Sequence, residues 1–411
     1  MNESISTTVT DSGIRVVTER MPEVRSVTLG CYVAVGGRDE ADELSGASHF
    51  LEHLLFKGTE DRAARTIAAE VDARGGEMNA FTAREHTAFY LRLPARETAF
   101  GLDLLGDVIG HPAFRSDEVE SERQVILEEL LLSEDEPDER SHSLCMEGLF
   151  PHHPLGREVL GTDETIGAME RDEIAAFHAA QYGPANLVVV AAGDLDHDQI
   201  VAGVDRAFPT PAAGGGGARP VRQAPVEEAA AALTLARPTE QAHLTFGWRA
   251  FDLHDPDRYA LAVVNQALGG GMSSRLFHEI RERRGLAYSV YSYSALYSDA
   301  GAVMVYAGTT PARAGEVRSL IEDEVASLVA DGPTDAELEV ALGYLEGSML
   351  LGLEDSGSRM ARLGSGVIAR GQVTPIDEHV ARIRAVTRDD VTRVIQRVFA
   401  HAPTTAVVGP S

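Results

Sequence analysis

One short segment of the sequence carries two histidines and a glutamate at the spacing of a metal site. Residues 48–57 read SHFLEHLLFK, with His49 and His53 four positions apart and Glu52 between them. On a helix, residues i and i+4 lie on one face, so both imidazoles can bind one ion with the carboxylate of Glu52 beside them. Zinc prefers imidazole ligands, and a hydrolytic zinc site has three protein ligands and one position open to water. The alternative is that two of the 14 histidines share a helix face by coincidence.

A downstream acidic segment offers a third ligand. Residues 116–136 read SDEVESERQVILEELLLSEDE, in which Glu122 and Glu129 are seven positions apart. Seven residues make two helical turns, so these two carboxylates share a face, whereas Glu128 points about 100° away. An acidic helix is often only a solvated surface, which remains the alternative for this segment considered by itself.

Composition bounds the classes of function. The chain has 411 residues, enough for two or three domains, and 64 acidic against 36 basic residues give a net charge of -28. Such a surface repels phosphate backbones, so we expect no nucleic-acid partner. Two cysteines cannot form a disulfide framework. The N-terminal residues lack the pattern of a signal peptide, and no apolar stretch approaches 18 residues, so we expect a soluble, cytoplasmic protein without a membrane partner.

The chain is organised as two similar halves. Residues 209–225, PTPAAGGGGARPVRQAP, interrupt any periodic pattern and indicate a linker. Residues 171–193, RDEIAAFHAAQYGPANLVVVAAG, are similar to residues 388–409, RDDVTRVIQRVFAHAPTTAVVG, in apolar positions and in their helix-then-strand order. We therefore predict a duplicated fold with domains at 1–209 and 226–411, joined by a linker at 210–225.

The pattern of elements predicts an α+β protein. Apolar residues alternate from Val27 to Val35, which indicates a half-buried strand. Helices are predicted at 45–57, 64–74, 97–110, 117–134, 311–330 and 336–354, and further strands at 77–82 and 87–93. Strands that neighbour each other as hairpins favour mostly antiparallel sheets, with helices packed on one face of each.

The HxxEH segment and the downstream glutamate resemble the motif of the pitrilysin/insulinase-type zinc metallopeptidases, the inverzincins, whose third ligand lies about 75 residues further on. The resemblance implies one Zn²⁺ per chain, held by His49, His53 and Glu129. It further implies that Glu52 is the general base and that Glu122 orients a ligand histidine.

A second motif extends the resemblance to the substrate. Residues 75–90, GGEMNAFTAREHTAFY, are similar to the edge strand and turn on which this family binds peptides. The resemblance implies that Asn79 reaches a substrate carbonyl and that Ala80, Phe81 and Thr82 offer backbone groups to a peptide added as an extra strand. The alternative is an ordinary hairpin with Asn79 in its turn.

A third motif lies in the second half. Residues 269–292, GGGMSSRLFHEIRERRGLAYSVYS, resemble the motif of the family's companion domain. Arg281 and Tyr288 match the pair that in the family binds the substrate backbone and the oxyanion. Without the resemblance, Arg281 is a solvent-facing helix residue and Tyr288 a core residue of a strand.

The second half has no HxxEH at the equivalent place, so the resemblance implies an inactive domain there and one metal site per chain. In the short-chain branch of the family, which includes the mitochondrial processing peptidase, such a chain is half of a clamshell. The resemblance thus implies a homodimer, or a heterodimer with a paralogous chain. The predicted function is a zinc-dependent endopeptidase that cleaves unfolded or extended peptides in a dimeric chamber. The alternative is a non-catalytic scaffold or partner subunit, although all four residues of the zinc motif are present.

Overall fold

The computed structural model describes residues 5–208, 219–226, 229 and 232–410. These residues form two compact units, each with its own sheet. The first unit comprises Met1–Leu130, Glu158–Val221 and Gly352–Pro375, and the second comprises Leu131–Arg157, Arg222–Leu351 and Ile376–Ser411. The units thus differ from the predicted division at the linker, because each includes a segment from the other half of the chain. Most of the predicted linker lies outside the described residues.

The first unit contains a six-stranded sheet in the order β1-β2-β6-β3-β5-β4. Its strands are β1 (Ile5–Val9), β2 (Arg15–Arg20), β3 (Ser26–Val33), β4 (Glu77–Thr82), β5 (Thr87–Pro94) and β6 (Leu187–Gly193). Neighbouring strands are antiparallel except for β2 and β6, which are parallel. The predicted strands at 77–82 and 87–93 are therefore present as the last two strands of this sheet.

The second unit contains a five-stranded sheet in the order β7-β11-β8-β10-β9. Its strands are β7 (Ala232–Ala236), β8 (Ala242–Ala250), β9 (Ala287–Leu296), β10 (Gly301–Thr309) and β11 (Thr404–Gly409). The two segments that are similar in sequence end in β6 and β11. Each of these strands has a parallel neighbour on one side and an antiparallel neighbour on the other. The matching topology agrees with a duplicated fold, and the α+β fold class is confirmed.

Fourteen α-helices are found among the described residues. They are α1 (Ala47–Leu55), α2 (Ala64–Asp72), α3 (Thr98–Gly110), α4 (Ser116–Asp135), α5 (Pro137–Leu149), α6 (Asp163–Ala168), α7 (Arg171–Gln181), α8 (His197–Ala207), α9 (Arg258–Leu268), α10 (Ala314–Asp331), α11 (Asp335–Gly352), α12 (Ser356–Arg370), α13 (Ile376–Arg384) and α14 (Arg388–Phe399). A π-helix spans Phe277–Arg283. In the described part of the chain, no helix combines the length and apolar character needed to cross a bilayer.

The central strand β3 is buried on both faces. Val27, Leu29, Cys31 and Val33 point into the main core of the first unit, as their alternation predicts. Tyr32, on the opposite face, is only 1% exposed. The prediction of a half-buried strand is therefore wrong, because another layer covers the face that was expected to meet water.

That layer is α12. Met360, Leu363 and Val367 of this helix form a second apolar cluster with Tyr32. The predicted packing of helices on one face of the sheet is thus found at the main core, and α12 is an additional helix that covers the opposite face. The sequence of a strand shows how its apolar side chains alternate between the two faces. It does not show which distant segment of the chain covers the second face.

The second unit has the same arrangement. Cys145 and Leu149 of α5 pack on the sheet face that carries Ala302 of β10 and Ala406 of β11. The larger core of this unit, with residues of α9, α10 and α14, is a separate cluster. In each unit, therefore, the helix on the second face belongs by sequence to the other half of the chain.

The contact between α12 and β3 gives a test of this packing. A methyl group at Gly364 of α12 would overlap the ring of buried Tyr32, whereas nothing lies within 4 Å of the equivalent position at Gly343 of α11. We expect Gly364→Ala to destabilise the protein by about 1–3 kcal/mol through overpacking. Gly343→Ala should stabilise it by about 0.5–1 kcal/mol, because alanine is the better helix former. Urea unfolding of both variants, monitored by circular dichroism, measures these changes. Equal shifts of the unfolding midpoints of the two variants relative to wild type would contradict the packing described.

Candidate metal centre

Helix α1 holds the HxxEH residues on a rigid element of the first unit. Its apolar residues, such as Phe50, Leu51 and Leu55, are fully buried in the core. The backbone amides of Gly46 and Ser48 at its start donate to the carboxylate of Glu40, at 2.7 and 2.6 Å. A carboxylate at this place satisfies amides that have no partner within the helix and interacts favourably with the helix dipole. The helix is thus fixed both by its apolar face and by its capped end.

Three side chains converge as the spacing predicts. Nε2 of His49 lies 3.7 Å from Oε2 of Glu129, and Nε2 of His53 lies 3.5 Å from the same oxygen. The three candidate ligand atoms all lie within 4.8 Å of one another. A tetrahedral zinc ion bound at about 2.0–2.2 Å holds its ligand atoms about 3.4 Å apart. The donor set and its spacing therefore fit one zinc ion, with two nitrogens and one carboxylate oxygen.

Helix α4 brings the carboxylates to α1. Val119, Ile126 and Leu130 of this helix are buried in the core of the first unit, which fixes its rotation. Glu129 consequently faces the two histidines, while Glu128 is exposed to solvent. Of the two adjacent glutamates, the structure thus brings Glu129 to the histidines, as the two-turn relation to Glu122 predicts. Its role as a ligand stays a prediction.

Glu122 joins α4 to α1 by a polar contact. Its side chain is 4% exposed, and Oε1 accepts a hydrogen bond from Nδ1 of His53 at 2.8 Å. Its other oxygen lies 2.5 Å from Nζ of Lys57. With a proton on Nδ1, the lone pair of His53 is on Nε2, the atom that faces Glu129. The expected contact between Glu122 and one of the two histidines is therefore present, whereas the contact with Lys57 was not predicted.

The two histidines have opposite pKa shifts. Burial, and then the neighbouring His53, lower the pKa of His49 to about 4, so this imidazole is neutral at pH 7. Burial also lowers the pKa of His53, but the hydrogen bond and charge of Glu122, together with the charges of Glu129 and Glu52, raise it above its ordinary value. The imidazole of His49 can thus bind a metal ion at neutral pH without first losing a proton. At His53, by contrast, a metal ion must compete with a proton for the ring nitrogen.

Glu52 is held by a neighbouring strand. The hydroxyl of Thr82 in β4 donates a hydrogen bond to Oε2 of Glu52 at 2.6 Å. Burial raises the pKa of Glu52, and the hydrogen bond from Thr82 opposes part of this rise. The resemblance assigned only backbone groups to Thr82, so this side-chain contact is an addition from the structure. A hydroxyl on a strand gives no signal in the sequence that its partner lies on a helix thirty residues earlier.

Strand β4 forms one edge of its sheet and carries the predicted peptide-binding residues. It pairs with β5 on one side only. Oδ1 of Asn79 accepts a hydrogen bond from the amide of Ala80 at 2.8 Å, so this backbone donor is already engaged. The ring of Phe81 is 39% exposed and packs edge-on against His86. The strand is therefore placed as expected, and peptide binding by these residues stays a prediction.

Arg281 and Tyr288 lie together in the second unit. Arg281 belongs to the π-helix, and its guanidinium carbon lies 4.7 Å from the centre of the Tyr288 ring. Tyr288, on β9, is 80% exposed. The alternative in which Tyr288 is a core residue is therefore wrong. A cation held over an aromatic face at this distance stabilises both side chains in one place.

Comparisons with known proteins give matches in both halves of the chain. The sequence matches the family described as Insulinase (Peptidase family M16) over residues 15–163 and the Peptidase M16 inactive domain over residues 168–345. It is 42% identical to a protein of Streptomyces coelicolor named as an uncharacterized zinc protease, over 99% of this chain and 90% of that one. A protein of Bacillus subtilis with the same description is 36% identical over 97% of both chains.

Solved structures show the same fold. A structure described as a peptidase M16 inactive domain from Pseudomonas fluorescens has a TM-score of 0.92 and 24% identity, and the match covers 99% of this chain and 98% of that one. A protease from Helicobacter pylori has a TM-score of 0.91 and 21% identity, with 99% and 100% covered. The chain belongs to the insulinase family, peptidase family M16.

The raised pKa of His53 predicts how metal binding depends on pH. A ligand imidazole must lose its proton, so zinc affinity should begin to fall at a higher pH than for a site of ordinary histidines. Glu122→Gln removes the main group that raises this pKa, and the fall should then begin at a lower pH. Zinc dissociation constants measured by chelator competition between about pH 8 and pH 5 check this, because ordinary imidazole titrates near pH 6.5. An identical pH dependence in both proteins would contradict the assigned contact.

Proposed function

We propose that this protein is a zinc-dependent endopeptidase that hydrolyses peptide bonds in unfolded or extended peptides. The observation that carries the proposal is the convergence of Nε2 of His49, Nε2 of His53 and Oε2 of Glu129, with Glu52 on the same helix. Two neutral nitrogens and one carboxylate are a ligand set of catalytic zinc sites, which leave a fourth position for water or substrate. Family membership and the names of the relatives support the same reading.

The proposed chemistry assigns the metal ion to His49, His53 and Glu129. When bound, a zinc ion lowers the pKa of water and polarises a carbonyl group, so it supplies a nucleophile near neutral pH and stabilises developing negative charge. The remaining work is done by side chains of this protein, beginning with Glu52.

Glu52 takes the proton from the attacking water and later gives it to the leaving amine. Its raised pKa makes it a stronger base than an exposed carboxylate, and the carboxyl group then holds the proton until the amine leaves. The hydrogen bond from Thr82 to Oε2 fixes one oxygen and leaves the other to carry the proton. Pre-organised contacts of this kind reduce the reorganisation needed in the transition state.

The proposed substrate is an extended segment that pairs with the edge of β4. An incoming peptide carbonyl would accept the amide hydrogen of Ala80 in place of Oδ1 of Asn79. The released carboxamide of Asn79 could then bind a second carbonyl of the peptide. Because main-chain pairing needs an extended partner, folded proteins would be excluded, and side-chain selectivity would come from other contacts.

The proposed assembly is a dimer of this chain, or of this chain with a paralogue. Arg281 and Tyr288 carry the predicted roles in binding the substrate backbone and the oxyanion, and Tyr288 is exposed enough to meet a ligand. In this proposal they act on the metal centre of the other subunit, as the resemblance to the short-chain branch implies.

Glu52→Gln tests the chemistry directly. The variant should keep about one zinc per chain but lose about 10²–10⁴-fold in the rate of cleavage of an unstructured fluorogenic peptide, since it lacks the base. Glu128→Gln is a matched control, because it removes an exposed carboxylate next to Glu129 and should change neither property. Cleavage by Glu52→Gln at the wild-type rate would show the base assignment to be wrong. Stoichiometric zinc without cleavage by wild type would favour the non-catalytic subunit.

Mixed dimers test the assembly. A chain with Arg281→Ala and Tyr288→Phe is combined with a Glu52→Gln chain, so that a mixed dimer has one site with both parts intact. Activity should rise above that of either variant alone. Subunit exchange is verified with differently tagged chains, and no recovery despite proven exchange would show that the pair does not act across subunits.

A further inference from the structure

Lys57 is the only lysine among the 36 basic residues of the chain, and arginine is used at every other position. Its Nζ lies 2.5 Å from Oε2 of Glu122, and its own side chain is 35% exposed. The composition alone assigns no function to this residue. Its place in the structure suggests one, because its partner is the carboxylate of Glu122 that contacts His53.

The two oxygens of Glu122 have separate partners. Oε1 accepts from Nδ1 of His53 at 2.8 Å, and Oε2 faces the ammonium group of Lys57. His53 lies in the last turn of α1 and Lys57 follows its last residue, Leu55, by two positions, and both side chains contact Glu122. The amide of Lys57 bonds to the carbonyl of Leu54 at 3.0 Å, which continues the helical turn and places the lysine there. Glu122 is therefore held at both oxygens by one short stretch of chain.

Burial makes the lysine contact consequential. A carboxylate that is 4% exposed cannot obtain its second partner from bulk water. If the ammonium group is removed, one oxygen of a buried charge is left without compensation, and the carboxyl group gains freedom to turn away from His53. By contrast, Arg96 pairs with its neighbour Glu97 while its side chain is 76% exposed, and exposed pairs of this kind contribute little.

We infer that Lys57 is a positioning residue of the metal centre, whose ammonium group holds the carboxylate of Glu122 against Nδ1 of His53 and thereby keeps Nε2 of His53 turned toward Glu129. The inference rests on the proposed function, because it assigns to Lys57 a part in holding the proposed zinc ion. Lys57 itself touches neither the ion nor the substrate. Its effect is on the affinity for the metal and, through that, on activity.

Zinc affinity of purified full-length variants tests this role. Lys57→Met keeps the length of the side chain without its charge, and zinc should bind about 10-fold more weakly, at the lower end of the effects of groups that orient metal ligands. Lys57→Arg keeps a cation and should stay within about 3-fold of wild type. Arg96→Met is the matched control for loss of one positive charge in the same unit and should leave the affinity unchanged. Circular dichroism of the metal-free proteins verifies that each is folded.

A double-mutant cycle separates positioning from a general effect of charge or packing. If Lys57 acts through Glu122, Lys57→Met should change zinc affinity less than 2-fold when Glu122→Gln is already present. A full 10-fold loss on that background would overturn the inference, since the lysine would then act by another route. Failure of Lys57→Arg to restore the affinity lost in Lys57→Met would overturn it as well.

A single lysine also permits a chemical test on the wild-type protein. An amine-acetylating reagent reacts with Lys57 and with the N-terminal amine in wild type, but only with the terminus in Lys57→Arg. Acetylation should weaken zinc binding about 10-fold in wild type and leave Lys57→Arg unaffected. A wild-type protein that binds no zinc would overturn the proposed function together with this inference. A wild-type protein that binds zinc no better than Lys57→Met would overturn the inference alone.

Discussion

The metal centre depends on one constraint, the fixed contact between α1 and α4. Two of the proposed ligands come from the first helix and one from the second, and a shift of about 1 Å between the helices would take Glu129 out of reach of a shared ion. Apolar residues on the buried faces of both helices set the rotation and distance. The buried carboxylate of Glu122 then links them at the level of the site, through His53 and Lys57. The chemistry is thus built on packing first and on polar contacts second.

The apolar surroundings that hold the two helices together also shift the pKa values of the side chains at the site. Burial lowers the pKa of His49 and raises that of Glu52, which suits His49 to the proposed role of ligand and Glu52 to the proposed role of base. Only where a second charge is near, as at His53 beside Glu122, is the effect of burial reversed. The position of a residue relative to the core and to its neighbours therefore distinguishes the roles of two histidines in one motif.

Much of this arrangement could be predicted from sequence where the relevant contacts are local. The i, i+4 spacing of His49 and His53 and the two-turn spacing of Glu122 and Glu129 follow from helix geometry, and the duplicated segments indicated the repeated sheet. Predictions failed where the partner is distant in the chain. The burial of Tyr32 depends on a helix more than 300 residues later, and the hydroxyl of Thr82 finds Glu52 only when a strand is laid beside α1. The sole lysine was visible in the composition, but its meaning depended on seeing its partner.

The reciprocal placement of α5 and α12 has a consequence for protein engineering. A chimaera made by joining halves of two relatives at the glycine-rich linker would combine each sheet with a helix from the other relative on its second face. Tyr32, for example, would then pack against an α12 helix from a different protein. Junctions that keep 131–157 with the sheet of the second unit, and 352–375 with that of the first, preserve both interfaces. For recombination, therefore, the interchangeable modules of this protein are discontinuous, and the apparent midpoint of the chain is a poor place to cut.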